Sequence, residues 1–258
     1  GKVADPRWRT LWDWALFIGG FVPALIFGVA VGNVLMGVPF GLDAAMRPSY
    51  EGTFFGLLRP FPLLCGVLSV AMLTMHGAGV IATRTRGAVA NRSRTYGRIA
   101  AVLTLILFAL GGLWIAYGID GYRVTNAIVT TLPSNPLSKS VALARGAWLA
   151  NFSAHPWMMA APALGFLGAL LALAGLSARN GWLAIGGSSL SVTGIVATAG
   201  VSMFPFLLPS SLNPVISLTV WDASSSHLTL FIMLLATLIF LPLILAYTTW
   251  VYSVMRGP

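Results

Sequence analysis

Charged side chains are scarce in this chain of 258 residues. Only 8% of the residues are Asp, Glu, Lys or Arg, whereas 57% are hydrophobic, and the mean hydropathy is +0.87. Soluble globular domains average about 25% charged residues, so this composition does not supply a water-soluble surface for a protein of this size. The deficit predicts an integral membrane protein, in which lipid surrounds much of the exterior.

Ionisable ligands and nucleophiles are also few. The single cysteine, Cys65, excludes an internal disulfide and any metal site built from several cysteines. The sequence has three histidines and six carboxylates, and no carboxylate falls in the middle of a predicted span. Ion-coupled transporters usually keep an ionisable group near the membrane midplane. The composition therefore counts against a transporter without excluding one.

Six long apolar runs are the main organising feature of the sequence. A helix needs about 20 apolar residues to cross roughly 30 Å of hydrocarbon, and the six runs lie near residues 11–37, 54–83, 99–119, 156–176, 182–208 and 227–254. Their length and all-round apolarity favour helices over the alternating strands of a membrane barrel. The predicted fold class is all-α integral membrane: a polytopic helical bundle with six transmembrane helices in one domain, residues 1–258, with a long outer loop at 120–155.

The basic residues predict the orientation of the chain. The net charge of +9 comes from Lys and Arg residues that lie mostly between the apolar runs, which indicates membrane topology and no nucleic-acid partner. Cytoplasmic loops are enriched in Lys and Arg. Ten basic residues fall on one side (Lys2, Arg7, Arg9, Arg84, Arg86, Arg92, Arg94, Arg98, Arg179 and Arg256) and five on the other (Arg47, Arg59, Arg123, Lys139 and Arg145). Both ends of the chain are therefore predicted to be cytoplasmic.

The outer loop contains a signal for a helix. Asn135 suits a helix cap and Pro136 the first helical position. The spacing of Val141, Ala144, Trp148 and Phe152 then predicts an amphipathic helix on the outer membrane surface or against a partner. The nine tryptophans of the chain mostly fall near predicted span ends, where indole rings favour the headgroup boundary.

Glycines inside the spans predict close contacts between helices. Small residues allow helix backbones to approach one another in lipid. Gly28 and Gly32 form a small-xxx-small pair, and further glycines recur within other spans, namely Gly111, Gly112, Gly194 and Gly200.

Three residues are candidates for proton transfer or quinone binding. His76, toward the cytoplasmic end of the second span, is either a haem ligand or proton relay, or a hydrogen-bonding partner of a neighbouring helix. Asp13 either admits protons at the cytoplasmic face or is a capping or headgroup-level carboxylate. Arg59, beside two prolines, contacts either a quinone headgroup or haem propionate, or a lipid phosphate.

The segment from Trp221 to Ser226 combines several signals for the start of a helix. Trp221 suits the membrane interface, Asp222 the positively polarised amino end of a helix, and the hydroxyl of Ser224 the capping of exposed amides. We expect these residues to shape the loop and cap the helix, with no catalytic role.

The amino-acid sequence of this region resembles that of a known family. The stretch FPFLLPSS, followed by SLTVWDA, is similar to subunit II of bacterial cytochrome bd-type quinol oxidases, a family with cyanide-insensitive members. Five further blocks follow the family order: Trp8-Arg9 with Trp12-Asp13-Trp14, GVAVGNVLMGVPF at 28–40, WIAYGIDGY at 114–122, SNPL at 134–137 and YTTWVYSVMRG at 247–257.

The resemblance implies a respiratory complex of the bacterial inner membrane that oxidises quinol, reduces dioxygen to water and builds a proton gradient. Haem b and haem d are then expected in the larger partner, subunit I, and this chain is expected to be a scaffold with no catalytic residue, haem ligand or metal site of its own. The resemblance is compatible with a bound quinone and a small accessory subunit. A secondary transporter and a non-redox membrane scaffold stay as alternatives.

This sequence differs from the family in one respect. Its members have about eight spans in two four-helix bundles, whereas six spans are predicted here. The chain starts with Gly1 and not with Met, so we expect amino-terminal spans to be missing, together with acidic positions that the family associates with proton delivery. On the resemblance, no proton-path residue is assigned.

Overall fold

The computed structural model describes residues 6–126 and 135–255. Lys2, Ser134 and Arg256, which entered the sequence analysis, lie outside the described residues. The helices are α1 (Pro6–Met36), α2 (Pro60–Arg84), α3 (Gly87–Tyr117), α4 (Ala150–Ala154), α5 (Ala160–Ser177), α6 (Gly181–Met203), α7 (Val220–Ala223) and α8 (His227–Met255). Six of them, all but α4 and α7, are long and apolar enough to cross a membrane. The predicted all-α membrane architecture is confirmed.

Prolines set two span boundaries that the sequence analysis placed wrongly. The second span starts at Pro60 and not at residue 54, because proline suits the first turn of a helix. The residues Phe55–Leu57 before it form a separate 3-10 turn. The fifth span ends at Met203 and not at residue 208, because Pro205 cannot continue the helix and Phe206–Leu208 forms a strand.

The third span begins at Gly87, well before the predicted residue 99. The earlier prediction followed hydropathy, but the arginine-rich segment that precedes the apolar run is also helical. Arg92, Arg94 and Arg98 therefore lie on the first turns of α3 and not in a loop, and α2 and α3 are joined by only two residues. We call this side of the bundle, which carries residues 84–98 and the α5–α6 turn at Arg179, the arginine end.

Three small antiparallel hairpins lie at the opposite end of the bundle. They pair β1 (Phe40–Leu42) with β2 (Pro48–Tyr50), β3 (Asp120–Val124) with β4 (Val141–Arg145), and β5 (Phe206–Leu208) with β6 (Leu218–Thr219). Because the hairpins follow α1, α3 and α6, which point the same way, they gather on one side. We call this side the hairpin end.

The amphipathic helix predicted in the outer loop is wrong. Its first part is strand β4, which pairs along its length with β3. Gly146 then adopts a left-handed conformation with φ of 73°, which ends the strand, and Ala147–Leu149 and α4 form short helical turns. Backbone pairing with a distant strand has overridden the local apolar spacing.

Trp148 fills the core of the hairpin end instead of lying at the membrane interface. Its side chain is only 1% exposed, and its Nε1 donates a hydrogen bond to the Leu35 carbonyl at 3.0 Å. The rings of Tyr122 and Phe206 lie 5.7 Å and 6.0 Å from it. Burial of the aromatic ring in this cluster, and not affinity for headgroups, therefore fixes its position.

Glycines bring α5 and α6 into backbone contact. A Cβ atom at Gly168 would lie 2.3 Å from the amide nitrogen of Ser191, and one at Gly194 would lie 2.2 Å from that of Gly165. The pair Gly28 and Gly32 plays the same role between α1 and α2, with Cβ positions 2.3 Å and 2.6 Å from backbone atoms of α2. The hydrogen bond from Ser191 Oγ to the Gly165 carbonyl, at 2.9 Å, spans the α5–α6 contact.

The packing role predicted for two other glycines is wrong. A Cβ atom at Gly112 or Gly200 would have no heavy atom within 4 Å. Sequence alone does not separate these positions from Gly194, because all three lie in apolar helical runs. Only the neighbouring helix decides which side of the helix is crowded.

We expect Gly168→Ala to lower the free energy of unfolding by about 1–3 kcal/mol, because the added methyl group forces two backbones apart. Equilibrium unfolding in mixed detergent and dodecyl sulfate micelles, followed by circular dichroism, measures the change. Gly186→Ala is the matched control, since no heavy atom lies within 4 Å of its Cβ position; it should be neutral or stabilise the helix by about 0.5–1 kcal/mol. Equal destabilisation by both variants would refute the packing interpretation.

Candidate functional site

Two similar Asn-Pro turns meet at the hairpin end. The side-chain oxygen of Asn135 accepts a hydrogen bond from the Leu137 amide at 3.0 Å, and that of Asn213 accepts one from the Val215 amide at 3.1 Å. Each asparagine thereby caps a 3-10 turn whose first residue is proline. The two turns contact one another, which brings the segment after Asn135 close to the segment after Asn213.

A buried ion pair forms where these segments meet. The Nζ atom of Lys139 lies 2.8 Å from Oδ2 of Asp222, and the two side chains are 2% and 8% exposed. Lys139 also donates to the Pro136 carbonyl at 2.7 Å. The two residues are 83 positions apart in sequence, so the pair ties the outer loop to the segment before α8.

Asp222 also closes the amino end of α7. Its Oδ2 accepts hydrogen bonds from the Thr219 amide at 2.9 Å and from the Thr219 hydroxyl at 2.6 Å. The bond from the Thr219 amide and a return bond from the Asp222 amide to the Thr219 side chain form a capping box. Thr219 is fully buried. One carboxylate oxygen therefore accepts three hydrogen bonds, two of them inside the turn and one from the distant lysine.

These donors keep Asp222 ionised. Burial by itself would raise the pKa of Asp222, since it disfavours the charged form. The hydrogen bonds from Lys139 and Thr219 and the positive charge of Lys139 outweigh this effect and hold the pKa of Asp222 below its ordinary value. A carboxylate with a lowered pKa and donors around it is a fixed charge, so its chemistry suits a structural clamp and not proton transfer.

Lys139 is the partner of Asp222, a pairing that the sequence did not predict. In the sequence this lysine stands out only as one of the basic residues of the outer side. The capping role of Asp222 has a local signal in the Thr219–Asp222 spacing, but no local signal links Asp222 to a residue 83 positions away.

The neighbours of Asp222 have structural contacts. The ring of Trp221 meets Phe204 edge-on, with centroids 6.0 Å apart, and Trp221 is 36% exposed. The Ser224 hydroxyl donates to the Val220 carbonyl. It is Ser226, two residues further on, whose hydroxyl accepts from the Thr229 amide at the start of α8, at 3.4 Å.

His76 lies between two helices. Its Nδ1 is 3.0 Å from the hydroxyl of Ser188 on α6, and this hydroxyl also contacts the Ile185 carbonyl at 3.0 Å. The ring is half-buried. Of the alternatives that the sequence left open, this contact corresponds to a hydrogen bond with a neighbouring helix.

Arg59 and Asp13 lie at opposite ends of the bundle. Arg59 is exposed at the hairpin end, where its Nε donates to the Gly56 carbonyl at 3.0 Å. His76 lies on α2, 17 residues after Arg59, and a helix of that length spans about 25 Å. Asp13 is exposed near the start of α1, toward the arginine end. The structure does not join the three candidates into one site.

Two cavities lie at opposite ends of the bundle. A cavity of about 550 Å³ at the hairpin end is lined by residues that include Arg123, Asn151 and Phe204, and one of about 410 Å³ at the arginine end is lined by α2 and α3. Each wall contains one tyrosine, Tyr122 in the first and Tyr96 in the second, but no histidine, cysteine or methionine, which are the other usual axial ligands. Within residues 6–126 and 135–255, no group of three or more His, Cys, Asp or Glu residues is arranged to hold a metal ion.

Comparison with known proteins decides the family. The family described as cytochrome bd terminal oxidase subunit II matches residues 1–255. The chain belongs to this family. It is 47% identical over 256 residues to cytochrome bd-I ubiquinol oxidase subunit 2 of Escherichia coli strain K12, and 48% identical over 256 residues to a Haemophilus influenzae protein named "probable cytochrome oxidase subunit 2". Each comparison covers 99% of this chain and 68% of the relative.

A more distant relative has the same description. Cytochrome bd ubiquinol oxidase subunit 2 of Bacillus subtilis strain 168 is 27% identical over 258 residues, which cover 99% of this chain and 66% of the relative. The family predicted from the six motif blocks is confirmed, and with it the assignment as subunit II of a cytochrome bd-type oxidase in a bacterial inner membrane. No comparison favours the transporter or the non-redox scaffold.

We expect Asp222→Asn to lower the free energy of unfolding by about 3–5 kcal/mol, because it leaves the buried charge of Lys139 without its partner. Unfolding of the purified protein in micelles, measured at several pH values, tests this. Because folding lowers the pKa of Asp222, the stabilisation by the carboxylate is present at neutral pH and is lost as the pH falls through that lowered pKa. The difference between wild type and variant should therefore shrink in acid.

Asp120→Asn provides the matched control at the same end of the bundle. Asp120 lies 3.9 Å from Arg145, and both side chains are more than half exposed. Such a pair contributes at most about 1 kcal/mol. If both variants cost the same, burial does not determine the strength of the Lys139–Asp222 pair.

Proposed function

We propose that this chain is a haem-free, structural subunit II that supports a haem-bearing subunit I. In this assignment the partner carries haem b and haem d, oxidises quinol and reduces dioxygen, and this chain positions the partner in the membrane. The observation that carries the proposal is the family match across residues 1–255. A small accessory subunit and a bound quinone belong to the same proposal.

The chemistry of the described residues supports a structural role. Asp222 has three hydrogen-bond donors on one oxygen, and His76 is in contact with the Ser188 hydroxyl. Neither side chain faces one of the two cavities. Arg59 and Asp13 stay candidates for quinone binding or proton entry, at opposite ends of the bundle.

The outer surfaces of α1 and α8 support an assembly role. No residue from His227 to Val254 is buried, although this span is the most apolar of the six. On α1, Gly19 and Gly20 have no heavy atom near their Cβ positions, and the preceding residues from Trp8 onward are exposed. These helices offer a large apolar surface to lipid and to a neighbouring membrane protein.

The charge distribution supports a cytoplasmic arginine end. An even number of spans puts the first and last helix termini on the same side, which is the arginine end. At the hairpin end, three basic residues lie close to carboxylates: Arg47 to Asp43, Lys139 to Asp222 and Arg145 to Asp120. The excess of positive charge therefore lies at the arginine end, as the positive-inside rule requires for a cytoplasmic face.

We expect the tagged chain, purified from its native membrane in mild detergent, to copurify with a larger subunit that contains b- and d-type haem. A dithionite-reduced minus oxidised spectrum detects both haems. After the subunits are separated, the haem should follow the larger one. A folded, colourless preparation without a partner would contradict the proposal, and haem retained by this chain alone would contradict its haem-free role.

We further expect His76→Ala to leave the ratio of haem to protein in the complex unchanged, because the contact of His76 Nδ1 with the Ser188 hydroxyl supports a packing role. Ser188→Ala is the matched control, since it removes the other side of the same contact. The two variants should have similar spectra and similar small losses of thermal stability. Loss of one haem band in His76→Ala alone would assign the histidine to a haem.

A further inference from the structure

A groove runs between α2 and α3 at the arginine end. On α2 it is lined by Gly77, Ala78 and Ile81, and on α3 by Val89, Arg92 and Tyr96, in a volume of about 410 Å³. This volume lies within the range of ligand pockets, about 300–1,000 Å³. The exposed surface of the groove is mostly apolar, and four polar side chains also line it: Thr74 on α2 and Arg92, Ser93 and Tyr96 on α3. Of these, Thr74, Arg92 and Tyr96 are exposed.

The floor of the groove is open at Gly77, which has no side chain to fill it. A Cβ atom at Gly77 would have no heavy atom within 4 Å. The helices touch beside it at Ala78, since the Ser93 hydroxyl donates to the Ala78 carbonyl at 3.0 Å and a Cβ atom at Gly97 would lie 2.7 Å from that of Ala78. This contact between two packed helices borders the groove.

Arginines cluster near this groove, and Arg92 lines it. The guanidinium groups of Arg84, Arg86 and Arg92 make no hydrogen bond or ion pair with any residue that the structure describes. Two further arginines have only neutral side-chain partners, Arg94 to Asn91 at 3.0 Å and Arg98 to Thr95 at 3.4 Å. Arg84 ends α2, Arg86 lies in the link to α3, and the other three arginines lie on the first turns of α3. All five side chains can contact anions.

The groove lies at the depth of the lipid headgroups and the first acyl carbons. Helix α3 has 31 residues, or about 46 Å, whereas the hydrocarbon core is about 30 Å thick. Its first turns therefore extend into the headgroup layer. On α2, Gly77 and Ile81 precede the final residue, Arg84, by seven and three positions, or about 10 and 5 Å.

We propose that this groove binds an anionic phospholipid. One acyl chain lies along the apolar floor between α2 and α3, and the phosphate contacts Arg92, whose planar guanidinium group matches phosphate oxygens. The Tyr96 hydroxyl lies one turn along the same face of α3 and donates to the headgroup. Charge complementarity selects this lipid, since basic pockets between membrane helices bind anionic headgroups.

The experiment counts lipids bound to the intact oxidase complex. The complex that contains this chain is purified in mild detergent and titrated with phosphatidylglycerol, or with phosphatidylcholine of the same acyl chains, and native mass spectrometry counts the lipids retained. We expect wild type to retain phosphatidylglycerol in preference to phosphatidylcholine. Gly77→Leu, which fills the groove, should remove one retained phosphatidylglycerol, and Arg92→Gln should weaken its retention roughly five-fold.

Two control variants keep the test specific. Gly112→Leu adds the same side chain on α3 at a position with no heavy atom within 4 Å of its Cβ, and Arg123→Gln removes an exposed arginine at the hairpin end. Both should retain the lipid as wild type does. If Gly77→Leu does not fold, the exposed Arg92→Gln decides the result.

Three outcomes would overturn the proposal. Equal retention of phosphatidylcholine would refute selection by charge. Unchanged phosphatidylglycerol in both Gly77→Leu and Arg92→Gln would refute the site. Release of the haem-bearing subunit by Gly77→Leu, with the lipid count unchanged, would show that the groove holds a protein partner instead.

Discussion

Hydrocarbon neither donates nor accepts hydrogen bonds, so a backbone that crosses it has to pair its own amides and carbonyls. The six long helices satisfy this constraint inside each span, and the hairpins and 3-10 turns are confined to the hairpin end. Because lipid gives little hydrophobic driving force between helices, their association depends on close contact. The glycines of α5 and α6 allow that contact at the backbone, and α2 packs against α1, α3 and α6.

Charged side chains are arranged differently at the two ends of the bundle. At the hairpin end, Lys139 and Asp222 neutralise one another inside the protein, and an aromatic cluster around Trp148 forms a buried core at the same end. At the arginine end, the guanidinium groups of Arg84, Arg86 and Arg92 have no carboxylate partner among the described residues. The hairpin end therefore contains a buried ion pair, whereas the arginine end exposes positive charge that the proposed anionic lipid would neutralise.

This division agrees with the place of the chain in its family. A subunit II whose ionised carboxylate is fixed by three hydrogen bonds provides rigidity, and its exposed apolar helices provide surface for assembly. In the proposed assignment, function resides in how the chain holds its neighbours and less in groups that react. The half-buried His76, hydrogen-bonded across to α6, illustrates how a titratable side chain serves packing in such a protein.

Local physical rules explain what the sequence predicted well. The thickness of hydrocarbon fixes the length of a span and excludes charge from it, so composition and run length were enough for six helices. Ordered motif blocks were enough for the family. The capping role of Asp222 also has a local signal, because Thr219 and Asp222 are three residues apart in one turn. The observed helix boundaries near Pro60 and Pro205 differ from the predicted ones because of the prolines themselves, which is also a local cause.

By itself the sequence determined that lipid surrounds the protein, how many spans it has, its family and the cap at Asp222. Each of these depends on neighbouring residues or on composition. Tertiary structure alone decided that Lys139 pairs with Asp222, that Val141–Arg145 is a strand, and that Gly194 is crowded while Gly200 is not. Those outcomes depend on groups brought together from distant parts of the chain. Residues in similar local sequence therefore acquire different roles only when the neighbouring helix or strand is in place.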